Sequence, residues 1–278
     1  MKQVRIIASD LDGTLINSKE ELSTANLDAL MRAAAEGIEF VPATGRFYES
    51  MPDVIKDLEF VNYAITCNGA EVYDVRNKQV IFSANIPMDR AVEAMEFLDG
   101  YPILYYCYMD NAAWITAKVK EEMLAGITDD LLRNYAQKAC RPVPDLKQFI
   151  RDTGHDVQKI IALTADIELR EIIWKILTGD AYADFTITSA FMQNIEINAK
   201  DANKGYALKM LADHLKVDME ETMALGDGTN DTSMIVDAGL GIAMENAAEE
   251  VKAAADYITA SIAEDGVAKA IDTFCLGN

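Results

Sequence analysis

The feature that most constrains the fold of this chain is the alternation of short apolar runs with amphipathic helical segments near its two ends. The first apolar run, residues 4–9, is rich in β-branched side chains and stops at an Asp-x-Asp-Gly sequence, which is typical of a buried strand that breaks into a loop. A helical pattern follows, with Ser23 or Thr24 as its N-cap and Gly37 just beyond its end. Such alternation predicts a parallel sheet covered by helices on both faces.

The alternation occupies two separate parts of the sequence. Further strands are predicted at 38–43, 63–66, 222–225, 240–243 and 257–259, a hairpin at 71–74 and 79–82, and helices at about 47–58 and at 204–215. The stretch between these parts mixes helices with short strands. A chain of 278 residues is also slightly longer than one hydrophobic core usually supports. We therefore predict an α/β fold with a parallel-sheet core of residues 1–83 and 189–278, and an inserted α+β domain of residues 84–188.

The charge balance restricts the partners of the protein. The sequence contains 25 Lys and Arg against 46 Asp and Glu, which gives a formal net charge of −21. A field of this sign repels nucleic-acid phosphates and anionic membrane surfaces, so we expect neither as a partner. The same field repels a small phosphorylated ligand, which must therefore be met by a local cation in a cleft.

The cysteines and the N-terminal segment indicate the compartment. Four widely spaced cysteines form no Cys-x-x-Cys pair and are expected to be reduced thiols in the core. Residues 1–9 lack the apolar segment of an export signal, and no run of about 18 apolar residues would cross a membrane. We therefore expect a cytoplasmic protein. We also expect it to be a monomer or a homodimer.

Polar residues follow three of the predicted strands at their carboxyl ends: Asp10 and Asp12, then Thr44 and Arg46, then Asp227, Asn230 and Asp231. In an open parallel sheet, ligands bind in the crevice at this end of the strands. Four carboxylates in one cleft would repel each other by several kcal/mol per close pair at an effective dielectric constant of about 20, so positive charge must lie among them. A donor set of aspartate oxygens without His or Cys favours Mg²⁺.

Four short motifs occur in a fixed order along the chain: Asp10-Leu11-Asp12-Gly13-Thr14, Thr44-Gly45-Arg46, Lys204-Gly205 and Gly226-Asp227-Gly228-Thr229-Asn230-Asp231. In this order and these surroundings, they resemble the motifs of the haloacid dehalogenase (HAD) superfamily. More narrowly, the chain is similar to the Cof-type phosphatases, in which a large α/β cap of type IIB lies between the second and third motifs. The resemblance implies a Rossmann-like core with an inserted cap, and phosphatase activity on a small phosphorylated metabolite, with a sugar phosphate as the leading substrate class.

The resemblance also implies a role for each motif residue. Asp10 would be the nucleophile that forms an aspartyl-phosphate, and Asp12 would be the acid/base, while Thr44 and Lys204 complete the catalytic set. The implied metal ligands for Mg²⁺ are Asp10, the backbone carbonyl of Asp12, Asp227 and Asp231. The implied contacts to the phosphoryl group come from Thr44, Gly45, Arg46, Lys204 and Asn230.

Three other functions remain open from the sequence alone. A phosphomutase would return the phosphoryl group to a sugar instead of passing it to water. A phospho-acceptor switch would need a long-lived acyl-phosphate and would gain nothing from Asp12, which is placed to hydrolyse it. A binding protein without catalysis ranks last, because every proposed catalytic position is occupied by a suitable residue.

Overall fold

The computed structural model describes residues 3–126, 133, 137–189 and 192–277; residues 127–132 and 134–136 of the predicted insert lie outside the described residues. The chain forms two compact units. One consists of Met1–Ser83 and Asn203–Asn278, and the other consists of Ala84–Ala202.

The described strands and helices alternate in the first unit and are mixed in the second. The strands are β1 (Ile6–Ser9), β2 (Glu39–Pro42), β3 (Tyr63–Thr66), β4 (Glu71–Asp74), β5 (Gln79–Ser83), β6 (Leu104–Met109), β7 (Ala112–Thr116), β8 (Cys140–Val143), β9 (Lys159–Leu163), β10 (Phe185–Thr188), β11 (Asn194–Ala199), β12 (Thr222–Gly226), β13 (Leu240–Ala243) and β14 (Tyr257–Ile258). The helices are α1 (Thr24–Ala35), α2 (Asp53–Lys56), α3 (Met88–Leu98), α4 (Ala117–Gly126), α5 (Leu146–Thr153), α6 (Ile167–Leu177), α7 (Lys204–Leu215), α8 (Thr232–Asp237), α9 (Glu249–Ala254) and α10 (Gly266–Phe274).

The core of the first unit is a five-stranded sheet in the order β14-β13-β12-β1-β2, and every neighbouring pair is parallel. Successive side chains of a strand point to opposite faces, so β1 contributes to two hydrophobic clusters. Ile7 packs in the cluster that includes residues of α1 and α10, whereas Ile6 and Ala8 pack in the cluster that includes residues of α7. The predicted parallel sheet with helices on both faces is therefore confirmed.

Two predicted elements of the first unit differ from the structure. The strand at 63–66 forms an antiparallel sheet with β4 and β5 and touches the β2 segment only through isolated parallel bridges. The helix predicted at about 47–58 is reduced to a 3₁₀ turn and the short α2. Pro52 lies between them, and the residue before a proline is driven out of the helical region.

The second unit is built on a six-stranded sheet in the order β10-β11-β9-β6-β7-β8, in which all neighbours are antiparallel except β7 and β8. Residues of α3, α5 and α6 pack into its core. The predicted return of the chain to the first unit at residue 189 is wrong. β11 pairs with β10 and β9, and Ile195 and Ile197 are buried in the core of the insert, so this unit extends to Ala202.

All four cysteines are free thiols, as the sequence predicts. Cys67, Cys107 and Cys140 are buried, whereas Cys275 is half-buried. Within the described part of the chain, no helix has the combination of length and apolar surface that a membrane span requires.

We predict that Gly69→Ala destabilises the protein far more than Gly37→Ala, although both glycines have positive φ (95° and 80°). A Cβ at position 37 meets no atom within 4 Å, whereas one at position 69 overlaps the Asn203 carbonyl and lies 2.8 Å from the Lys204 nitrogen. The left-handed conformation alone costs an alanine about 1–2 kcal/mol, which is the expected loss for Gly37→Ala. Urea unfolding of both variants checks this, and equal losses of unfolding free energy would contradict it.

Candidate active site

The order of the parallel strands brings three sequence motifs to one edge of the sheet. The Asp10 amide donates to the Leu225 carbonyl (2.9 Å) and the Ala43 amide donates to the Ser9 carbonyl (2.8 Å), so these hydrogen bonds continue past the assigned end of β1. Asp10 and Thr44 are both buried. The structure therefore places the Asp10 carboxyl group between the loops that follow β2 and β12, at the carboxyl ends of the strands.

Lys204 is fully buried at the first position of α7. Its Nζ donates to Asp10 Oδ1 at 2.6 Å and to Asp231 Oδ1 at 2.5 Å. Burial by itself lowers the pKa of Lys204, but the charges of Asp10 and Asp231 outweigh it and hold that pKa above its ordinary value. The ammonium group is therefore charged. It is a local cation of the kind that a phosphorylated ligand of an acidic protein would need.

Asp231 joins Lys204 to the loop after β12. Its Oδ2 accepts hydrogen bonds from the backbone amides of Asp227 and Gly228, each at 2.9 Å. Both carboxylate oxygens of Asp231 are thus engaged with groups of the protein. This arrangement makes Asp231 an anchor for the loop as well as a member of the acidic cluster.

Asp10, Asp227 and Asp231 each offer a carboxylate oxygen, and these three oxygens lie within 4.8 Å of one another. Burial raises the pKa of Asp10 well above its ordinary value, and the charge of Asp231 raises it further against the opposing effect of Lys204. Burial also raises the pKa of Asp227, although Thr14 Oγ1 donates to Asp227 Oδ1 at 2.6 Å. The single charge of Lys204 does not balance three carboxylates. Their oxygen atoms form a donor set that suits a hard divalent cation.

Asp12 and Arg46 form a separate ion pair on the exposed side of the site. Arg46 donates through Nε to Asp12 Oδ2 (2.9 Å) and through Nη2 to Asp12 Oδ1 (2.6 Å), a bidentate geometry that fixes the carboxylate plane. Its Nη1 also donates to Glu20 Oε1 at 2.7 Å. The family resemblance implies that Arg46 contacts phosphate, but the structure directs its guanidinium group to these two carboxylates.

The remaining predicted phosphate contacts lie in loops that are held together by backbone hydrogen bonds. The amides of Asn68 and Cys67 donate to the carbonyls of Thr44 and Arg46 at 3.0 and 2.9 Å, on either side of Gly45. On the opposite loop, Asn230 Nδ2 donates to Asn68 Oδ1 at 3.3 Å. The structure thus brings Thr44, Gly45 and Asn230 to the same turn.

Sequence reasoning assigned no role to three residues that support the site. Thr14 binds Asp227, Asn68 binds Asn230, and Asn246 Nδ2 donates to the Gly13 carbonyl at 2.9 Å. Thr14 lies in the first of the four motifs that carry the family resemblance, whereas Asn68 and Asn246 lie outside all four. Their side chains act on other protein groups, however, and no rule of spacing relates residues as distant in sequence as 13 and 246.

Comparison with known proteins agrees with this geometry. The family model for haloacid dehalogenase-like hydrolases matches residues 7–271. The phosphatase YwpJ of Bacillus subtilis (strain 168) is 31% identical, with 95% of this chain and 98% of that protein covered. The 5-amino-6-(5-phospho-D-ribitylamino)uracil phosphatase YcsE of the same organism is 31% identical, with 96% and 94% covered. The structure of the HAD subclass IIB sugar phosphatase BT4131 aligns with a TM-score of 0.79 at 25% identity, covering 98% of this chain and 99% of that one.

The chain therefore belongs to the haloacid dehalogenase-like hydrolase family. It is a HAD-type phosphatase of the Cof type, with the parallel-sheet core and inserted cap domain that the sequence predicts.

We predict that Lys204→Met, measured with a chelator present, lowers the free energy of unfolding by about 3 kcal/mol at pH 8, because it leaves buried carboxylates without their cation. Without Lys204, the pKa of Asp10 in the folded state rises further above its value in the unfolded state. Protonated Asp10 then contributes stability at low pH, and this contribution is lost as the pH rises through the folded-state pKa. The deficit should therefore shrink between pH 8 and pH 5.5. The exposed Lys209 on the same helix provides the control: Lys209→Met should be nearly neutral at both pH values. A pH-independent deficit would contradict the prediction.

Proposed function

We propose that this phosphatase is a Mg²⁺-dependent phosphomonoester hydrolase that acts on small phosphorylated metabolites, with sugar phosphates as the leading class, through an aspartyl-phosphate intermediate. The observation that carries the proposal is the buried contact of Lys204 Nζ with Asp10 Oδ1 at 2.6 Å, beside the carboxylates of Asp227 and Asp231. This arrangement combines a nucleophile, a fixed cation and a set of oxygen ligands.

Asp10 is the proposed nucleophile. A carboxylate oxygen attacks phosphorus in line, the bond from phosphorus to the leaving oxygen breaks, and Asp12 gives that oxygen a proton. Asp12 then takes a proton from water, which attacks phosphorus and releases inorganic phosphate and free Asp10. Lys204 neutralises charge on the phosphoryl oxygens during both steps, and the Thr44 hydroxyl, the Gly45 amide and the Asn230 amide donate hydrogen bonds to them.

Arg46 is assigned a different part in this proposal. Its bidentate contact with Asp12, together with its contact with Glu20, fixes where the acid/base carboxylate points. The guanidinium group thereby holds Asp12 at the edge of the site, where Asp12 is accessible to a leaving group and to water.

The acidic cluster fits Mg²⁺, with Asp10, Asp227 and the backbone carbonyl of Asp12 as ligands and Asp231 as a further ligand or as the anchor of the loop. When bound, the ion supplies positive charge that offsets the repulsion between the nucleophile and the phosphate. Burial raises the pKa values of Asp10 and Asp227, and the charge of Asp231 raises both further, so a bound cation would favour the ionised carboxylates that the assignment requires.

The substrate class is supported by two of the similar proteins. YcsE is described as acting on a phosphorylated ribitylamino compound, and BT4131 is described as a sugar phosphatase. Both descriptions combine a phosphomonoester with a hydroxylated carbon chain. With a net charge of −21, the protein has little attraction for a polyanion such as nucleic acid, so we propose a small metabolite as the partner.

The phosphomutase and the phospho-acceptor switch are the alternatives. Incubation with a panel of hexose, pentose and nucleotide monophosphates, with and without Mg²⁺, distinguishes them from a phosphatase. Free phosphate supports the hydrolase, an isomerised sugar phosphate supports the mutase, and a phosphorylated Asp10 that persists for minutes supports the switch.

We predict that Asp10→Asn abolishes phosphate release, with a loss of at least about a thousandfold, because an amide oxygen is a poor nucleophile at phosphorus. The fold should be retained, since the variant removes a buried charge and keeps the side-chain size. Phosphate release and circular dichroism measure the two outcomes, and Asp213→Asn, at an exposed position on α7, is the matched control. Activity near that of the parent protein in Asp10→Asn would rule out this nucleophile.

We predict that Mg²⁺ raises the melting temperature of the parent protein by roughly 5–10 °C at about 100 times its Kd, since binding at that concentration stabilises by about 2.7 kcal/mol. Asp227→Asn should lose most of this increase. In the presence of a chelator, however, the variant should be no less stable than the parent, because burial raises the Asp227 pKa and so penalises its charged form. Thermal melts with and without Mg²⁺ measure both effects, and a full Mg²⁺ response in the variant would remove Asp227 from the ligand set.

A further inference from the structure

The turn after β3 has an unusual backbone. Cys67, Asn68 and Gly69 are consecutive residues with positive φ, at 52°, 60° and 95°. This region is unfavourable for residues other than glycine, although Asn tolerates it better than most. Such strain persists only where the surrounding structure holds it, and it is concentrated at functional sites. We call these three residues the Cys67–Gly69 turn.

The Cys67–Gly69 turn contacts three of the motif loops. Its amides hold the Thr44 and Arg46 carbonyls, and Gly69 lies so close to the start of α7 that a Cβ would be 2.8 Å from the Lys204 nitrogen. Asn68 is itself 3% exposed, and its Oδ1 accepts the hydrogen bond from Asn230 Nδ2. The turn is therefore a common support for the loops that carry the proposed phosphate contacts.

The two ends of the Asn230 amide lie against different residues. Its Nδ2 lies 3.3 Å from Asn68 Oδ1. Its Oδ1 lies against Gly228, where a Cβ would come within 2.5 Å of that oxygen. A primary amide carries two N–H groups, so one donates to Asn68 and the second can donate to a phosphoryl oxygen. If the amide were reversed, its carbonyl oxygen would face the anion and repel it.

We propose that Asn68 is a positioning residue, which holds the Asn230 amide with an N–H group directed to the phosphoryl oxygens. This inference rests on the proposed function, in which Asn230 binds the phosphoryl group. Asn suits position 68 for two independent reasons: it tolerates the left-handed backbone, and its side-chain carbonyl is an uncharged acceptor that does not repel the substrate.

The test separates the side chain of Asn68 from its backbone. Asn68→Gly keeps the positive φ without strain and removes the acceptor, so the free energy of unfolding should stay near that of the parent protein. Catalytic efficiency with a sugar phosphate and affinity for inorganic phosphate should each fall about five- to tenfold, the effect of one hydrogen bond. In the Asn230→Ala background, Asn68→Gly should cause no further loss, because the group that it positions is absent. Mg²⁺ affinity, read from thermal melts, should not change in any of these variants.

Gly228→Ala approaches the same amide from its other end. The added Cβ must displace Asn230 Oδ1, while the backbone at this position has an ordinary negative φ of −92°. A loss of phosphate affinity similar to that of Asn68→Gly is therefore expected.

The inference is overturned if Asn68→Gly retains parental efficiency and phosphate affinity, or if it causes the same loss in the Asn230→Ala background as in the parent. A parent protein that neither releases nor binds phosphate overturns the proposed function and this inference together. A parent that is active and sensitive to Asn230→Ala, but insensitive to Asn68→Gly, overturns the positioning role alone.

Discussion

The site depends on one buried ammonium group. Lys204 is inaccessible to solvent and donates to Asp10 and to Asp231, so a single cation provides a partner for two carboxyl groups in the interior. Asp231 extends this network through the two backbone amides that it accepts from the loop after β12. A strand, a helix N-terminus and a distant loop are thereby tied together by charge, and the loop takes the shape that places Asp227 beside Asp10.

The location of Lys204 also resolves the conflict between an acidic protein and an anionic ligand. The net charge of −21 is spread over the whole molecule, whereas the interaction with a bound phosphoryl group is decided within a few ångströms. At that distance a buried ammonium, together with the divalent ion that we propose, outweighs the remote surface acids. Arg46 lies at the rim, where it pairs with Asp12 and Glu20 and orients the carboxylate that we propose as the acid/base.

The supporting residues differ from those that we propose as catalytic. Thr14, Asn68 and Asn246 bind protein groups, and each controls the direction of a loop or a neighbouring side chain. The Cys67–Gly69 turn does this with a backbone that most residues would avoid. The insert has its own hydrophobic core, built on a separate sheet.

The sequence by itself determined the parallel sheet, α7 at 204–215 and the group of aspartates at the strand ends. Hydrophobic periodicity depends on local residue order, and so does the position of a polar residue at the carboxyl end of a strand. Tertiary structure decided the limit of the insert, where β11 obtains its partners from β9 and β10, and the direction of Arg46, which the proximity of Asp12 and Glu20 sets. It also decided the contact between Asn68 and Asn230. Strand pairing and side-chain contacts between residues that are not neighbours in sequence depend on packing in three dimensions, which a local pattern does not encode.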